Sequence, residues 1–294
     1  MHIAVCLKHV PDPATVEVDP ISGTIDTNRL LTTTNPADEV ALELALRQCA
    51  EVGSVTALTV GAPESEAVLR NALAVGAHHA VRVWDDIPTP PTPTTIAMLL
   101  AAALRVADNL PDMVLCGARS VERGSGQVPA LLAEYLGWPI VTDVTSLELD
   151  TTASGTSARV QQRLERGARE EFAVALPAVL AFEAGLVRLR HAGLPGLLAA
   201  QRAAIPTRTL HDLSIARADL RAAAPVVRAI SAPRPRPRAT FIPDSSLPPH
   251  ERIEQILTAG VTRQAGQLLE GAPDEMADAI MAFLREKGFL EPVA

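Results

Sequence analysis

Apolar and polar positions alternate between two patterns from Met1 to about Phe182. Short, nearly continuous apolar runs occupy His2 to Val10, Ser54 to Val60, Ala80 to Val83, Asp112 to Cys116 and Ala178 to Phe182. Runs of this kind, rich in Val, Leu and Ala, suit strands buried on both faces of a parallel sheet. Between them, helical spacing marks Pro36 to Cys49, Glu64 to Val75, Thr95 to Ala107 and Gln127 to Leu136. The first of these helices has a strong start, with Asn35 able to cap, Pro36 in the first turn and Asp38 adding negative charge near the N-terminus. Strands and helices in strict alternation predict an α/β fold with a doubly wound, mostly parallel sheet, Rossmann-like in its order.

Two segments break the alternation. Residues 16–29 place Ser22-Gly23 between short alternating runs, and residues 158–176 place Glu165-Arg166-Gly167 between two more, so both predict β-hairpins projecting from the main sheet. Beyond Pro206 the character changes again. The PRPRPR run at 233–238 and the stretch from Pro243 to Pro249 favour extended, polyproline-like chain. Helical spacing then returns over His250 to Leu269 and Asp274 to Phe289, the second ending near Gly288. Two short helices on such an arm cannot bury their own apolar faces, so they are expected to dock on a partner chain or on the body.

Composition narrows the function classes. A chain of 294 residues with 48% hydrophobic positions can bury a large core, and its length fits two units or one body with appendages. The pattern favours the latter: a body over residues 1–205 and an arm over 206–294. Aromatic residues make up only 3%, with Tyr135 the single tyrosine, and the net charge is -8. A stacking platform or a phosphate-backbone surface for nucleic acid is therefore not expected. Cys6, Cys49 and Cys116 are widely spaced with no CxxC pair, and they read as reduced, buried thiols of a cytoplasmic protein. MHIAVCLKHV lacks the features of a signal peptide, and no uninterrupted apolar stretch approaches the ~18 residues that a membrane span requires.

The most informative segment is DMVLCGARSVERGSGQVPALLAEYLGW, residues 112–138. A strand ending at Gly117 leads into a loop with Gly124 and Gly126, and a helix begins at Gln127. Backbone amides at such a helix start favour an anion, glycines allow close approach, and Arg119 and Arg123 can add charge-assisted bonds to phosphate. The segment is neither a Walker loop nor GxGxxG, and an ordinary strand-to-helix connection with surface arginines fits it equally well. In open α/β sheets, ligands sit beyond the carboxyl ends of the strands at the switch in strand order. Cys6, the Asn35 to Asp38 segment, Val60-Gly61 and the 117–127 loop would line one such crevice and could enclose an adenosine.

Nothing marks a nucleophile with its base. The seven histidines show no HxxxH or HExxH spacing, so no zinc site is expected, and GxSxG is absent. His78 and His79 fall in a helix-to-strand turn and read as solvated. Near residue 194, a basic loop precedes Leu194-Pro195. By itself this is a helix start with Pro195 in the first turn; the sharper reading is an exposed leucine anchor for a partner.

Taken together and in this order, the pieces resemble the beta (small) subunit of electron-transfer flavoprotein. The resemblance rests on VCLKHVPD, the DP-x-x-GTID hairpin, NPADEVALELALR, LRNALAVGAHHAVRV, the 112–139 segment, LPAVLAF and GLPGLLAAQR, collinear over residues 1–205. It implies an adenine-nucleotide-binding α/β domain that forms a heterodimer with a larger alpha subunit, the latter carrying most of a shared FAD site. Such a heterodimer takes electrons from flavin dehydrogenases, commonly acyl-CoA dehydrogenases, and passes them to a quinone oxidoreductase or another acceptor. The subunit is an electron carrier with no catalytic side chains of its own, and AMP is buried within it; in bifurcating members a second FAD takes that place.

Carried over by position, the resemblance implies that the nucleotide is lined by Cys6, Asn35, Pro36, Ala37, Asp38 and Val60. The loop adds Gly117, Ala118, Arg119, Ser120, Val121, Glu122, Arg123, Gly124, Ser125, Gly126, Gln127, Val128 and Pro129. Arg190, His191, Leu194 and Pro195 fall in the segment by which the family recognises its dehydrogenases. Two departures stand out. Arg123 and Gly124 replace acidic positions usual in the family's loop, and LVRLRH at 186–191 replaces the usual run before the leucine. A stand-alone adenine-nucleotide-binding protein of universal-stress type is the alternative of a different class.

Overall fold

The computed structural model describes residues 1–19, 24–50, 53–85, 87, 91–107, 109–152, 155–222, 243–258, 271–286 and 289. They fall into two units, Met1–Ile230 and Ser231–Ala294. In the first unit the strands are β1 (His2–Cys6), β2 (His9–Pro11), β3 (Thr32–Thr34), β4 (Ser54–Val60), β5 (His79–Val83) and β6 (Met113–Gly117). They continue with β7 (Ile140–Thr152), β8 (Gly155–Arg163), β9 (Arg169–Ala175), β10 (Ala178–Phe182) and β11 (Thr207–Arg208). Helices α1 (Pro36–Gln48), α2 (Glu66–Ala74), α3 (Pro93–Arg105), α4 (Gln127–Leu136), α5 (Leu194–Arg202) and α6 (Arg217–Ala222) connect them.

Nine strands form one sheet in the order β11-β5-β4-β1-β6-β10-β7-β8-β9. The chain builds outward from β1 through β4 to β5, then returns to the other side of β1 with β6 and β10, and these pairings are all parallel. That reversal is the doubly wound arrangement, and it places the topological switch between β1 and β6. Alternate residues of each central strand supply two core layers. Ile3, Val5, Met113, Leu115, Leu180 and Phe182 pack with Val40, Leu42 and Leu69 of α1 and α2. Ala4, Cys6, Val114, Cys116 and Val179 pack with Leu99, Leu100 and Leu132 of α3 and α4. Apolar residues at consecutive strand positions are therefore needed on both faces, which is why these strands lack polar alternation.

Several expectations are refined. The first apolar run is not one strand: β1 ends at Cys6, and His9–Pro11 pairs with Thr32–Thr34 in a separate two-stranded ribbon. β7 has no counterpart among the expected strands; it pairs in parallel with β10 and antiparallel with β8. The hairpin at 158–176 forms, with Arg166 and Gly167 at positive φ in its turn, and it continues the sheet edge through β8 and β9. The other hairpin is carried by a Val18–Ile25 antiparallel bridge and by the N–H of Asp26 donating to the carbonyl of Glu17. Its Ser22-Gly23 turn lies outside the described residues. Beyond Ile205 the chain still contributes to this unit: β11 is the parallel neighbour of β5, and Leu210, Leu213 and Leu220 join the α3–α4 core layer.

In the second unit, α7 (Pro249–Thr258) and α8 (Pro273–Glu286) each begin one residue before the expected helical stretches, with a proline in the first turn. Ile253, Ile256 and Leu257 of α7 are exposed, as are Ile280, Met281 and Phe283 of α8. The PRPRPR run, residues 259–269 of the first stretch and Gly288 lie outside the described residues.

Candidate functional site

A cleft of about 280 Å³ opens at the carboxyl ends of β1, β4 and β6, where the doubly wound order puts its switch point. One wall is apolar, with Cys6, Val60, Trp84, Ile96, Leu100 and Cys116. The polar part of the lining is rich in cations, with Lys8, Arg119, Ser120, Arg123, Ser125 and Gln127. Its size lies just below the usual range for small-molecule sites, and the mixed lining suits a ligand with a flat apolar part and an anionic part.

Asp38 organises the cleft from beneath. It is buried in the first turn of α1 and accepts three hydrogen bonds. Its Oδ2 takes the backbone N–H of Lys8 at 2.7 Å, and its Oδ1 takes the N–H of Gly117 and the Asn35 side-chain amide, each at 3.0 Å. One carboxylate thus joins the segment after β1, the end of β6 and the start of α1. Burial pushes its pKa up to about 6, although Asn35 and the N–H groups of Lys8 and Gly117 oppose the rise.

Asn35 does something other than the expected capping. Its side chain makes no cap bond to α1. Instead Nδ2 also donates to the Arg119 carbonyl at 3.1 Å, and Oδ1 accepts the N–H of Val121 at 3.2 Å. The asparagine uses both ends of its amide on the 117–127 loop, while its backbone carbonyl, as the N-cap residue, accepts the N–H groups of Asp38 and Glu39 at 2.9 and 3.1 Å. Gly117 is the second fixed point. A methyl group there would collide with Asp38 Oδ1 and come within 2.7 Å of Ala37 Cβ, so the loop crosses α1 only without a side chain.

The loop turns through a Gly124 N–H to Ser120 carbonyl bond of 2.9 Å and reaches α4 at Gly126, whose φ of 63° is left-handed. Gly126 offers no side chain, so nothing from the cap residue covers the first amides of α4. That leaves the positive end of the helix facing the cleft beside Arg119 and Arg123. Lys8 Nζ bridges to Glu122 Oε2 at 2.7 Å, and Arg123 Nε lies 3.3 Å from Glu122 Oε1. Burial acts to raise the Glu122 pKa, but Lys8 and then Arg123 outweigh it, and the carboxyl is held below its ordinary value. Arg119 Nη2 lies 3.5 Å from Asp143 Oδ1, across the same rim.

The structure therefore brings together Cys6, Asn35, Asp38, Val60, Gly117, Ala118, Arg119, Ser120, Glu122, Arg123, Ser125, Gly126, Gln127, Val128 and Pro129 around one cleft. Pro36, Ala37, Val121 and Gly124 are not part of its lining: they support the loop and the helix start. Sequence reasoning missed Lys8, His9, Ser65, Trp84, Pro91, Pro93, Ile96 and Leu100. Lys8 and Trp84 lie just past strand ends, which is the available signal; the α3 residues Ile96 and Leu100 show only a core pattern.

The basic segment before Leu194 divides. Arg190 is committed within the chain, its Nε and Nη2 reaching the two Glu43 oxygens at 2.9 and 3.1 Å. Glu43 also takes Arg47 Nε at 2.8 Å. Burial would raise its pKa, but Arg190 and Arg47 reverse the direction and hold it low. Leu194 is 68% exposed, with Leu197 and Leu198 beside it on α5 and His191 and Pro195 also at the surface. α5 is held against α2 at Gly196, where any side chain would strike the Ala74 carbonyl. Among the described residues no group of three or more metal-ligating side chains converges, and no helix is long and apolar enough to cross a membrane.

Fold and cleft together define a doubly wound α/β domain with a cationic-rimmed crevice at its switch point. The family model described as electron transfer flavoprotein domain matches residues 22–213. Similar proteins include the electron transfer flavoprotein subunit beta of Bacillus subtilis, 32% identical over 256 residues that cover 86% of each chain. Protein FixA of Azorhizobium caulinodans is 31% identical over 86% of this chain and 92% of its own. The mitochondrial electron transfer flavoprotein subunit beta of Oryza sativa subsp. indica is 32% identical over 80% of this chain and 90% of its own. The chain belongs to the electron transfer flavoprotein beta-subunit family.

Proposed function

We propose that this chain is the beta subunit of a heterodimeric electron-transfer flavoprotein, with AMP in the switch-point cleft and FAD shared with an alpha subunit. The observation that carries the AMP assignment is the mixed lining of the cleft. The phosphate side has the uncapped start of α4 with Arg119 and Arg123, and the adenine side has Val60, Trp84, Ile96 and Leu100. The donor set thus fits a single phosphate on a nucleoside. In this reading the nucleotide braces the loop, and the chain's own residues bind and orient without taking part in bond making. FAD supplies the electron chemistry when bound. Donors are flavin dehydrogenases of the acyl-CoA dehydrogenase type, which the exposed Leu194 and Pro195 engage, and the acceptor is a quinone oxidoreductase or a comparable protein. The working compartment is the cytoplasm.

The test is co-expression with an electron-transfer flavoprotein alpha subunit from the same organism, followed by release and quantification of bound nucleotides. One FAD and one AMP per heterodimer are expected, with flavin reduction by a dehydrogenase. Two FAD and no AMP would replace this with the bifurcating reading. A stable monomer that binds ATP and ignores the alpha chain would overturn it in favour of a universal-stress type role.

A further inference from the structure

Cys6 and Cys116 are the last or next-to-last residues of β1 and β6, the two strands that flank the switch point. The parallel register pairs Ala4 with Val114 and Val5 with Leu115, so the next step sets Cys6 opposite Cys116. Both side chains belong to the same core layer, both line the cleft, and neither is disulfide-bonded. The neighbouring Cys6 thiol, together with burial, raises the Cys116 pKa. Cys49 is a third buried thiol elsewhere, packed at the end of α1 beside Gly53. The fold thus places two neighbouring thiols in the lining of a solvent-connected cleft.

We propose that Cys6 and Cys116 form a bidentate site for one soft, thiophilic metal or metalloid centre, bridging the two sulfurs within the cleft. The register holds the two side chains side by side in one core layer, so a single atom can join the sulfurs without moving either packed strand. Paired strands lie about 4.7–4.9 Å apart, within the Cα separation that a disulfide also accepts, so the reduced state of both thiols is what leaves them open to a shared centre. Thiolate pairs also select soft centres over the hard cations that carboxylates prefer. With a trivalent arsenical as the centre, each thiol gives up its proton, two As–S bonds form, and the arsenic-bound oxygen leaves as water; no oxidant or reductant enters. Occupation narrows the cleft at its apolar wall, beside Val60 and Leu100.

The experiment titrates the full-length chain, reduced and freed of nucleotide, with phenylarsine oxide. Expected are one equivalent bound, the loss of two titratable thiols out of three, and reversal by a dithiol but not by an equal concentration of monothiol. Alkylation of the unaltered protein with and without the arsenical, read by mass spectrometry, should show Cys6 and Cys116 newly protected together and the labelling of the buried Cys49 unchanged by the arsenical. Cys49→Ser should leave stoichiometry and affinity unchanged, and Cys116→Ser should lower affinity at least a hundredfold. Arsenical-dependent protection of Cys49, reversal by monothiol, or no binding at all would overturn the proposal, and the wild-type labelling decides even if a cysteine variant does not fold. The result does not depend on AMP being the native ligand, because capture is read in its absence.

Discussion

The carboxylate of Asp38 accepts the backbone N–H of Gly117 at 3.0 Å, linking the first turn of α1 to the end of β6 across 79 positions of sequence. Its other oxygen takes the N–H of Lys8, so the strands either side of the switch point are tied to one buried acid. The arrangement leaves a signature in the pH dependence of stability. The folded-state pKa of about 6 lies above the ordinary 3.8, so the native chain binds the extra proton between those values. The Asp38 contribution to stability is then greatest below about pH 4, falls as pH rises towards 6, and is level above it, the total fall being up to roughly 3 kcal/mol. Asp38→Asn should lose that slope, although it also loses a hydrogen bond because its NH2 faces a donor. Urea denaturation from pH 4 to pH 7 measures this, and equal slopes in the two proteins would refute it.

Gly117→Ala should destabilise the body by about 1–3 kcal/mol, because a well-packed position has no room for an added methyl. The new Cβ would meet Asp38 Oδ1 and Ala37 Cβ, neither of which can swing away. Gly167→Ala is the control: its Cβ meets nothing within 4 Å, and only the strain of a φ of 82° remains. Thermal melts should rank the first variant well below the second. The first should also lose nucleotide affinity, since the loop from Ala118 onward starts at this crossing.

Removing Arg190 tests whether its side chain serves the body or a partner. Glu43 is 5% exposed at its side chain and would keep Arg47 and the backbone N–H of residue 190, so Arg190→Ala should cost about 1 kcal/mol, a modest figure because the guanidinium itself is 43% exposed. Glu43 has its pKa held below the ordinary value, so the pair's stabilisation is present above that value and lost as pH falls through the lower, folded-state pKa. The difference between variant and parent should therefore shrink in acid. A difference independent of pH would assign the effect to lost packing.

Arg123→Ala should weaken AMP binding by about tenfold, since one charge-assisted hydrogen bond is worth roughly 1.5–3 kcal/mol before the competing Glu122 contact is subtracted. Calorimetry at two salt concentrations separates this from damage to the fold. The parent's affinity should fall with added salt more steeply than the variant's. Parallel salt slopes would show that Arg123 does not face the phosphate.

Much of the body was readable because buried parallel strands and amphipathic helices impose different periods on the chain. Gln127–Leu136 begins and ends where its pattern says, between Gly126 and Gly137. β7 was missed because its Thr, Asp, Ser and Glu residues place it where only part of the strand is covered, so no continuous apolar run announces it. The 117–127 loop was legible through its glycines and arginines, and collinear motifs over residues 1–205 revealed the family.

What the sequence by itself determined is local: which segments are strands or helices, where the glycines permit a turn, and which family pattern the order follows. Only the tertiary structure decided the partners. Asn35 turned from capping its helix to holding the Arg119 carbonyl and the Val121 N–H, and Arg190 turned inward to Glu43. It also set Cys6 beside Cys116, 110 positions away. Periodicity encodes which face a residue shows, whereas a hydrogen bond between distant segments depends on strand order and register, which no single segment contains.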